Sequence, residues 1–303
     1  MIKYLSNRKG VILLNANLTP ERLMNENYLT LSSPFRIFQH TITRDIDTHW
    51  HEFFEIAFVV SGTGMHLLNG EQMSLRRGMM FLLTPADFHK IIPDPDETIC
   101  LYDLIFEERF IRYEVLQMIF RSETQYMHIF PDELSSQIDR ECNRIWEESV
   151  QTDFGAEIVI QGALERMIIE LIRACSKRSS AGDILRNDSM QMHPSIQRAL
   201  VYMHHHFREQ LTLHEVAAHA GLSDNYFSEC FHQQTGVSYQ IYLQKLRLQL
   251  ASSLLRSTHL TVTEICHASG FNTVPHFERA FKQRYACTPS AYRRDISHLY
   301  KVE

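Results

Sequence analysis

The sequence predicts an α+β chain of more than one domain: a small N-terminal β-barrel with helices after it, then an all-α C-terminal domain. Three observations carry this. Residues from about 10 to 105 are short β-branched or aromatic runs divided by turn signals. After Glu107 the apolar spacing changes to three and four. The last third contains an internal repeat, and 303 residues give room for two domains.

The predicted strands are FRIFQHTI, FFEIAFVV, GTGMHLL, MMFLL and ETICLYDLIF, separated by Ser-Gly, Asn-Gly and Pro-rich turns. So many short strands in under 100 residues imply a small barrel or sandwich over 1–106. Helices are expected over 107–178. One opens at Pro131 and Asp132 and carries Leu134, Ile138, Cys142 and Ile145 on one face. Another, Phe154 to Cys175, is apolar over a wide arc, which suits packing on the barrel and on a second subunit, or packing within the chain alone. Residues 179–193, within a small, polar stretch, read as a linker. Helices resume over 194–303.

Composition narrows the function. Apolar residues are 44% and charged residues 22%, so the chain is globular and not disordered. No apolar run approaches the roughly 18 residues of a membrane span, and the start lacks a signal-peptide core. The six cysteines are too scattered for a CxxC site, which fits a reduced, cytoplasmic setting. The net charge of −6 hides an asymmetry: His193–Arg294 holds ten Lys/Arg against six Asp/Glu, so it carries +4 on a body of −10. A basic segment on an acidic body points towards a nucleic-acid-binding module.

The repeat supports that direction. LTLHEVAAHAGLSDNYFSECFHQQTG (211–236) returns as LTVTEICHASGFNTVPHFERAFKQRYA (260–286). Leu211/Leu260, Thr212/Thr261, Glu215/Glu264 and Gly221/Gly270 pair at an offset of 49, and Phe227/Phe277 and Phe231/Phe281 at 50. Each copy reads as helix, glycine turn, then a second helix opened by a polar cap, Ser223 or Asn272/Thr273. This is the helix-turn-helix pattern. Between the copies, Leu243, Leu246, Leu250 and Leu254 mark a helix over Ile241–Leu255, a strut that would hold two recognition helices at successive major grooves.

Here the sequence resembles a known family. The paired motifs, GLSDNYFSECFHQQTG, and above all GFNTVPHFERAFKQRYACTPSAYRR look like the C-terminal domain of AraC/XylS-type transcriptional regulators. The resemblance implies double-stranded DNA as a partner. It places base-reading positions at Asn225, Ser228 and Glu229 in the first motif, and at Val274, Pro275, His276 and Arg279 in the second. Arg279 suits guanine, Asn225 adenine and Glu229 cytosine N4. Lys282, Arg284 and Arg294 would contact phosphates. No Lys or Arg occurs between Arg208 and Lys245, so the first motif is anionic and the second supplies most phosphate attraction.

Near the N-terminus, His49, His51, Glu55 and Gly62 stand in the arrangement H-x-H-x3-E-x6-G. On a strand, 49, 51 and 55 share parity and face one way. A second segment runs from Gly78 through Pro85 to His89. Together they resemble the two motifs of the cupin barrel, the effector domain of many AraC-type regulators, although Asp87 replaces a usual glycine. The resemblance implies that His49, His51, Glu55 and His89 bind a divalent metal, zinc, iron, manganese or nickel, or bond an effector's hydroxyls, or are purely structural; no metal is required. Arg36 and Phe38 are further effector-binding candidates, and a sugar is the expected effector. The run His204-His205-His206 cannot chelate one ion, because neighbours on a helix diverge by about 100°; it is expected on a solvated or linker-facing surface.

The resulting expectation is a transcriptional regulator and not an enzyme: a likeness to cupins for sensing, a helical region for homodimerisation, and two DNA-reading units, with RNA polymerase as a partner if it activates. The alternatives are a metal-dependent cupin enzyme or metal sensor fused to a DNA-binding domain, and a C-terminal interaction module.

Overall fold

The computed structural model describes residues 21–30, 33–120, 125–151, 153–178, 192–258 and 260–299. The chain begins with β1 (Glu21–Leu23), α1 (Asn25–Tyr28), β2 (Phe35–Ile42), β3 (Ile46–His51), β4 (Phe54–Ser61) and β5 (Gly64–Leu68). It continues through β6 (Glu71–Leu75), β7 (Met79–Leu83), β8 (His89–Pro93) and β9 (Ile99–Phe106), then α2 (Tyr113–Phe120), β10 (Tyr126–Ile129), α3 (Asp132–Gln151) and α4 (Ala156–Arg178). The C-terminal part holds α5 (Pro194–His206), α6 (Leu213–Ala220), α7 (Asp224–Thr235), α8 (Tyr239–Ser257), α9 (Val262–Ala268), α10 (Val274–Tyr285) and α11 (Pro289–Leu299).

Two five-stranded sheets, ordered β1-β3-β8-β5-β6 and β10-β7-β4-β9-β2, face each other. The second is buried on both sides, which explains the unbroken apolar runs of β4 and β7. Ala57, Val59, Phe81 and Leu83 point between the sheets, while Ile56, Phe58, Met80 and Leu82 point outward onto helices. Those helices, α2 to α4, contribute Leu116, Ile145, Leu164, Ile168 and Leu171 to the outer layer. The stretch read as helical after Glu107 also contributes β10, antiparallel to β7. The Asn69-Gly70 dipeptide closes the β5–β6 hairpin with both residues at positive φ (51° and 82°), the geometry that a two-residue primed turn requires.

The repeat folds as two equivalent units. The paired Thr and Glu residues are capping boxes: Thr212 with Glu215 starts α6, and Thr261 with Glu264 starts α9. Ser223 and Thr273 precede α7 and α10, but neither side chain makes a cap hydrogen bond. At the second turn Gly270 has φ +87, and a Cβ there would meet the Arg208 carbonyl oxygen at 2.9 Å, so only glycine fits. The strut α8 is longer than expected, with 19 residues.

The two parts share one core. Trp50, Ala86 and Phe88 of the barrel are buried with Leu200, Met203, Phe207 and the helical repeat. Polar contacts line the same seam: Gln249 Nε2 donates to Asp87 Oδ1 (3.4 Å) and Ser252 Oγ to the Asn69 carbonyl (3.4 Å). The histidine run corrects its expectation. His204 is buried and lies between Thr84 Oγ1 (3.2 Å) and the Tyr242 hydroxyl (2.8 Å), because its place on α5 faces the barrel. The linker assigned to 179–193 falls largely outside the described residues.

Candidate functional site

The polar centre of the barrel lies between the sheets. Chain reversal at Glu52-Phe53 ends β3 at His51 and starts β4 at Phe54. Glu55 therefore meets His51 across two strands of different sheets, not along one strand as the parity argument assumed. His51, Glu55 and His89 are buried, and one ligand atom from each lies within 4.8 Å of the others. His51 Nε2 is 3.0 Å and His89 Nε2 3.9 Å from Glu55 Oε2. Neither nitrogen has a partner in hydrogen-bonding geometry, so the close approach of His51 is ionic rather than an aligned bond. The Nδ1 of His51 is 2.7 Å from the Phe53 carbonyl, so Nδ1 carries a proton, and Nε2 faces Glu55 with a second proton when the ring is charged and with a lone pair only when it is neutral.

His49 is not part of this triad. It pairs across β3–β8 with His89, ring centroids 4.2 Å apart, and its Nδ1 is tied to the Asp47 carbonyl at 2.8 Å. Arg36 is exposed, and its guanidinium carbon lies 6.0 Å from the Phe38 ring centre. Phe38 packs against the small cluster of Leu29, Phe53 and Ile105 and stacks on His40, ring centroids 5.6 Å apart, so it borders the polar centre without joining the triad. Three residues were missed. His66 Nε2 is 3.1 Å from His89 Nδ1, and His40 Nε2 is 3.2 Å from Asp103 Oδ2. A charge inside the apolar run ICLYDLIF, and a histidine at an inward position of GMHLL, were the available signals.

Electrostatics mark the centre as strained for charge. Burial, and then the neighbouring His49, push His66 down to about 3. Burial also lowers His89 well below the usual imidazole range and His49 to about 4. Burial opposes charge on His51 too, but there the Glu55 carboxylate prevails and raises it. Glu55 is raised by burial and by Asp103. Asp87, standing in the glycine position, accepts from Thr84 N (2.6 Å), Thr84 Oγ1 (2.8 Å) and Asn69 Nδ2 (2.6 Å), and so knits the turn before His89 to the β5–β6 hairpin.

On the helical repeat, α7 and α10 bury Phe227, Cys230 and Phe231, or Phe277, Ala280 and Phe281, and turn the opposite face outward. Asn225, Ser228 and Glu229 are exposed on α7. Pro275, His276, Arg279 and Lys282 are exposed on α10, as are Arg284 at its end and Arg294 on α11. Val274 is half-buried against the core, at the first turn of α10, so it supports the helix rather than facing outward.

A family model described as an AraC-like ligand binding domain matches residues 32–189, and one described as a helix-turn-helix domain matches 216–295. The chain belongs to the AraC-type transcriptional regulators. Among curated relatives, the HTH-type transcriptional activator RhaS of Escherichia coli O81 (strain ED1a) is 25% identical over 252 residues, 82% of this regulator and 88% of RhaS. Among solved structures, the C-terminal domain of AraT, a response regulator from Geobacillus stearothermophilus, is 36% identical over 35% of this chain and 88% of that one, with a TM-score of 0.34. ToxT from Vibrio cholerae O395 is 12% identical over 87% of this chain and 98% of its own, with a TM-score of 0.40. As an AraC-type regulator, the chain combines a ligand-binding domain with a DNA-binding domain. Among the described residues, no helix is long and apolar enough to cross a membrane.

Proposed function

We propose that this regulator is controlled by a small polar effector, a sugar, held between the barrel sheets, and that α7 and α10 of a homodimer read double-stranded DNA. One observation carries the effector site: His66 Nδ1, His89 Nε2 and Asp103 Oδ1 are buried without a hydrogen-bond partner. Each such atom costs about 1–3 kcal/mol until it is satisfied. Sugar hydroxyls both donate and accept, which suits a lining of neutral imidazoles and carboxylates. Activation, the role in RhaS's name, would add RNA polymerase as a partner.

A second reading has its own support in the triad of His51, Glu55 and His89. Two lone-pair nitrogens and a carboxylate suit zinc, iron, manganese or nickel, and His66 behind His89 is the kind of outer partner that orients a ligating imidazole. A bound ion would supply a Lewis-acidic anchor for the effector's oxygens.

Thermal unfolding of the full chain against a sugar panel, with and without divalent metals and chelator, tests both. A ligand at 100 times its Kd stabilises by about 2.7 kcal/mol. A shift with one sugar that chelator leaves intact and His89→Ala removes supports the sugar reading. A shift with metal alone, lost in Glu55→Gln, replaces it with a metal sensor. No shift under any condition removes the barrel as the effector site.

A further inference from the structure

A cavity of about 260 Å³ lies at the seam between the barrel and the DNA-binding domain. Arg22, Trp50 and Glu52 line it from the barrel side, and His205, Arg208 and His267 from the helical side. It is smaller than the cavities that hold drug-sized molecules, so it suits a compact metabolite. Its walls are polar and built. Glu52 is already committed: Oε1 pairs with Arg22 at 2.9 Å and Oε2 accepts from the Asn25 amide at 3.0 Å. Glu209, also on the wall, is exposed and pairs with His206 at 2.9 Å.

The cations are under-used by comparison. Arg208 spends its Nε–H on the Ala268 carbonyl (2.9 Å), and among the described residues no carboxylate lies within ion-pair distance of it. Arg22 Nε and His205 Nε2 are buried without hydrogen-bond partners. Burial, and then the charge of Arg22, push the Arg208 guanidinium below its usual value, so the two cations feel each other across the seam. A planar pair of oxygens between them would meet free N–H groups on both sides and relieve that repulsion. Trp50 and Phe207 give the cavity apolar wall for the carbon skeleton.

We propose that the seam cavity binds a small organic carboxylate, gripped between Arg22 of the barrel and Arg208 of the DNA-binding domain. Such a ligand touches both domains and favours the docked arrangement by its differential affinity for it. The cavity adjoins the barrel triad, because His51 also stands on its wall, but neither clamping arginine belongs to the triad, and the carboxylate grip does not depend on the sugar reading.

The test is isothermal titration of the full chain with glucuronate, citrate and benzoate, and with glucose and inorganic phosphate as controls. At least one carboxylate is expected to bind saturably, with glucose silent and phosphate much weaker. Arg208→Gln and Arg22→Gln should each weaken that binding about tenfold or more, whereas His66→Gln, in the barrel centre and off the cavity wall, should leave it intact. If Arg208→Gln unfolds the protein, Arg22→Gln, on a partly exposed side chain, still decides the matter once its circular dichroism matches the parent. No binding by any carboxylate, equal binding of phosphate, or full affinity in Arg22→Gln would overturn the proposal. Loss of binding in His66→Gln would move the carboxylate to the barrel site and overturn it equally.

Discussion

The guanidinium carbon of Arg208 lies 4.4 Å from the centre of the Trp50 ring, while its Nε donates to the Ala268 carbonyl at the end of α9. One side chain thus joins the barrel to the second helix-turn-helix unit. Trp50 is the outward neighbour of His51 on β3, so a single strand presents an imidazole to the barrel interior and an indole to the DNA-binding domain. A change in the position of β3 on effector binding is felt at Arg208 by direct contact.

From this follows the first expectation. Arg208→Ala should destabilise the full chain by about 1–2 kcal/mol, the sum of a partly buried cation–π contact and one hydrogen bond. A double-mutant cycle with Trp50→Leu, measured by urea unfolding, should give a coupling energy of about 0.5–1 kcal/mol. Additive effects would mean that the stacking contributes nothing to docking.

The seam should also respond to acid. Burial, and then His205, hold His204 down to about 3. The unfolded imidazole titrates near 6.5, so the unfolded state binds more protons between these values. Stability from keeping His204 neutral is therefore full above about pH 6.5 and is lost as the pH falls towards 3, by at most about 1.4 kcal/mol per pH unit. His49, His66 and His89 act with the same sign. Unfolding free energies from pH 7 to 5 should fall steeply, and His204→Gln should remove one increment of that slope. An unchanged slope would place the acid sensitivity wholly in the barrel.

How much of this was legible in the sequence depends on the range of the interaction. Local signals worked well: the Asn69-Gly70 turn, the Thr/Glu pairs at 212/215 and 261/264, and the apolar faces of the repeat all depend on near neighbours in the chain. The passage of the chain from one sheet to the other between β3 and β4 did not follow from spacing, because the Glu52-Phe53 bend looks like continuing strand. His40 and Asp103 are 63 positions apart and meet only through the β2–β9 pairing. His204 was misjudged because nothing in its neighbours shows that Thr84, 120 positions away, will lie against it.

On the face of α10 proposed to read DNA, the exposed Arg279 and Lys282 should behave differently. Arg279→Ala should cost about 1–3 kcal/mol at a cognate operator and relax one base preference. Lys282→Ala should weaken cognate and random DNA alike and lower the salt slope by about one. Selection of binding sites from a random pool, together with affinity at several salt concentrations, separates the two. An unchanged selected sequence for Arg279→Ala would remove it from base reading.

The proposed homodimer has a specific candidate surface. Most of the wide apolar arc of α4 is used within the chain: Ile160, Leu164, Met167, Ile168, Leu171 and Ile172 are buried under the second sheet and α3. What remains outside is Val150 at the end of α3, Phe154 in the turn before α4 and Ile158 in the first turn of α4, the last two 109% and 74% exposed. Solvent-exposed Phe and Ile are costly to leave wet, at about 25 cal/mol per Å² of apolar surface, and in the proposed homodimer the same patch of a second copy would cover them in a two-fold contact. The double substitution Phe154→Ser, Ile158→Ser should therefore shift the chain from dimer to monomer in sedimentation equilibrium. Its thermal stability at low concentration should change little, since neither side chain is buried in the monomer. A parent that is monomeric at tens of micromolar, or a double variant that stays dimeric, would place any subunit contact elsewhere.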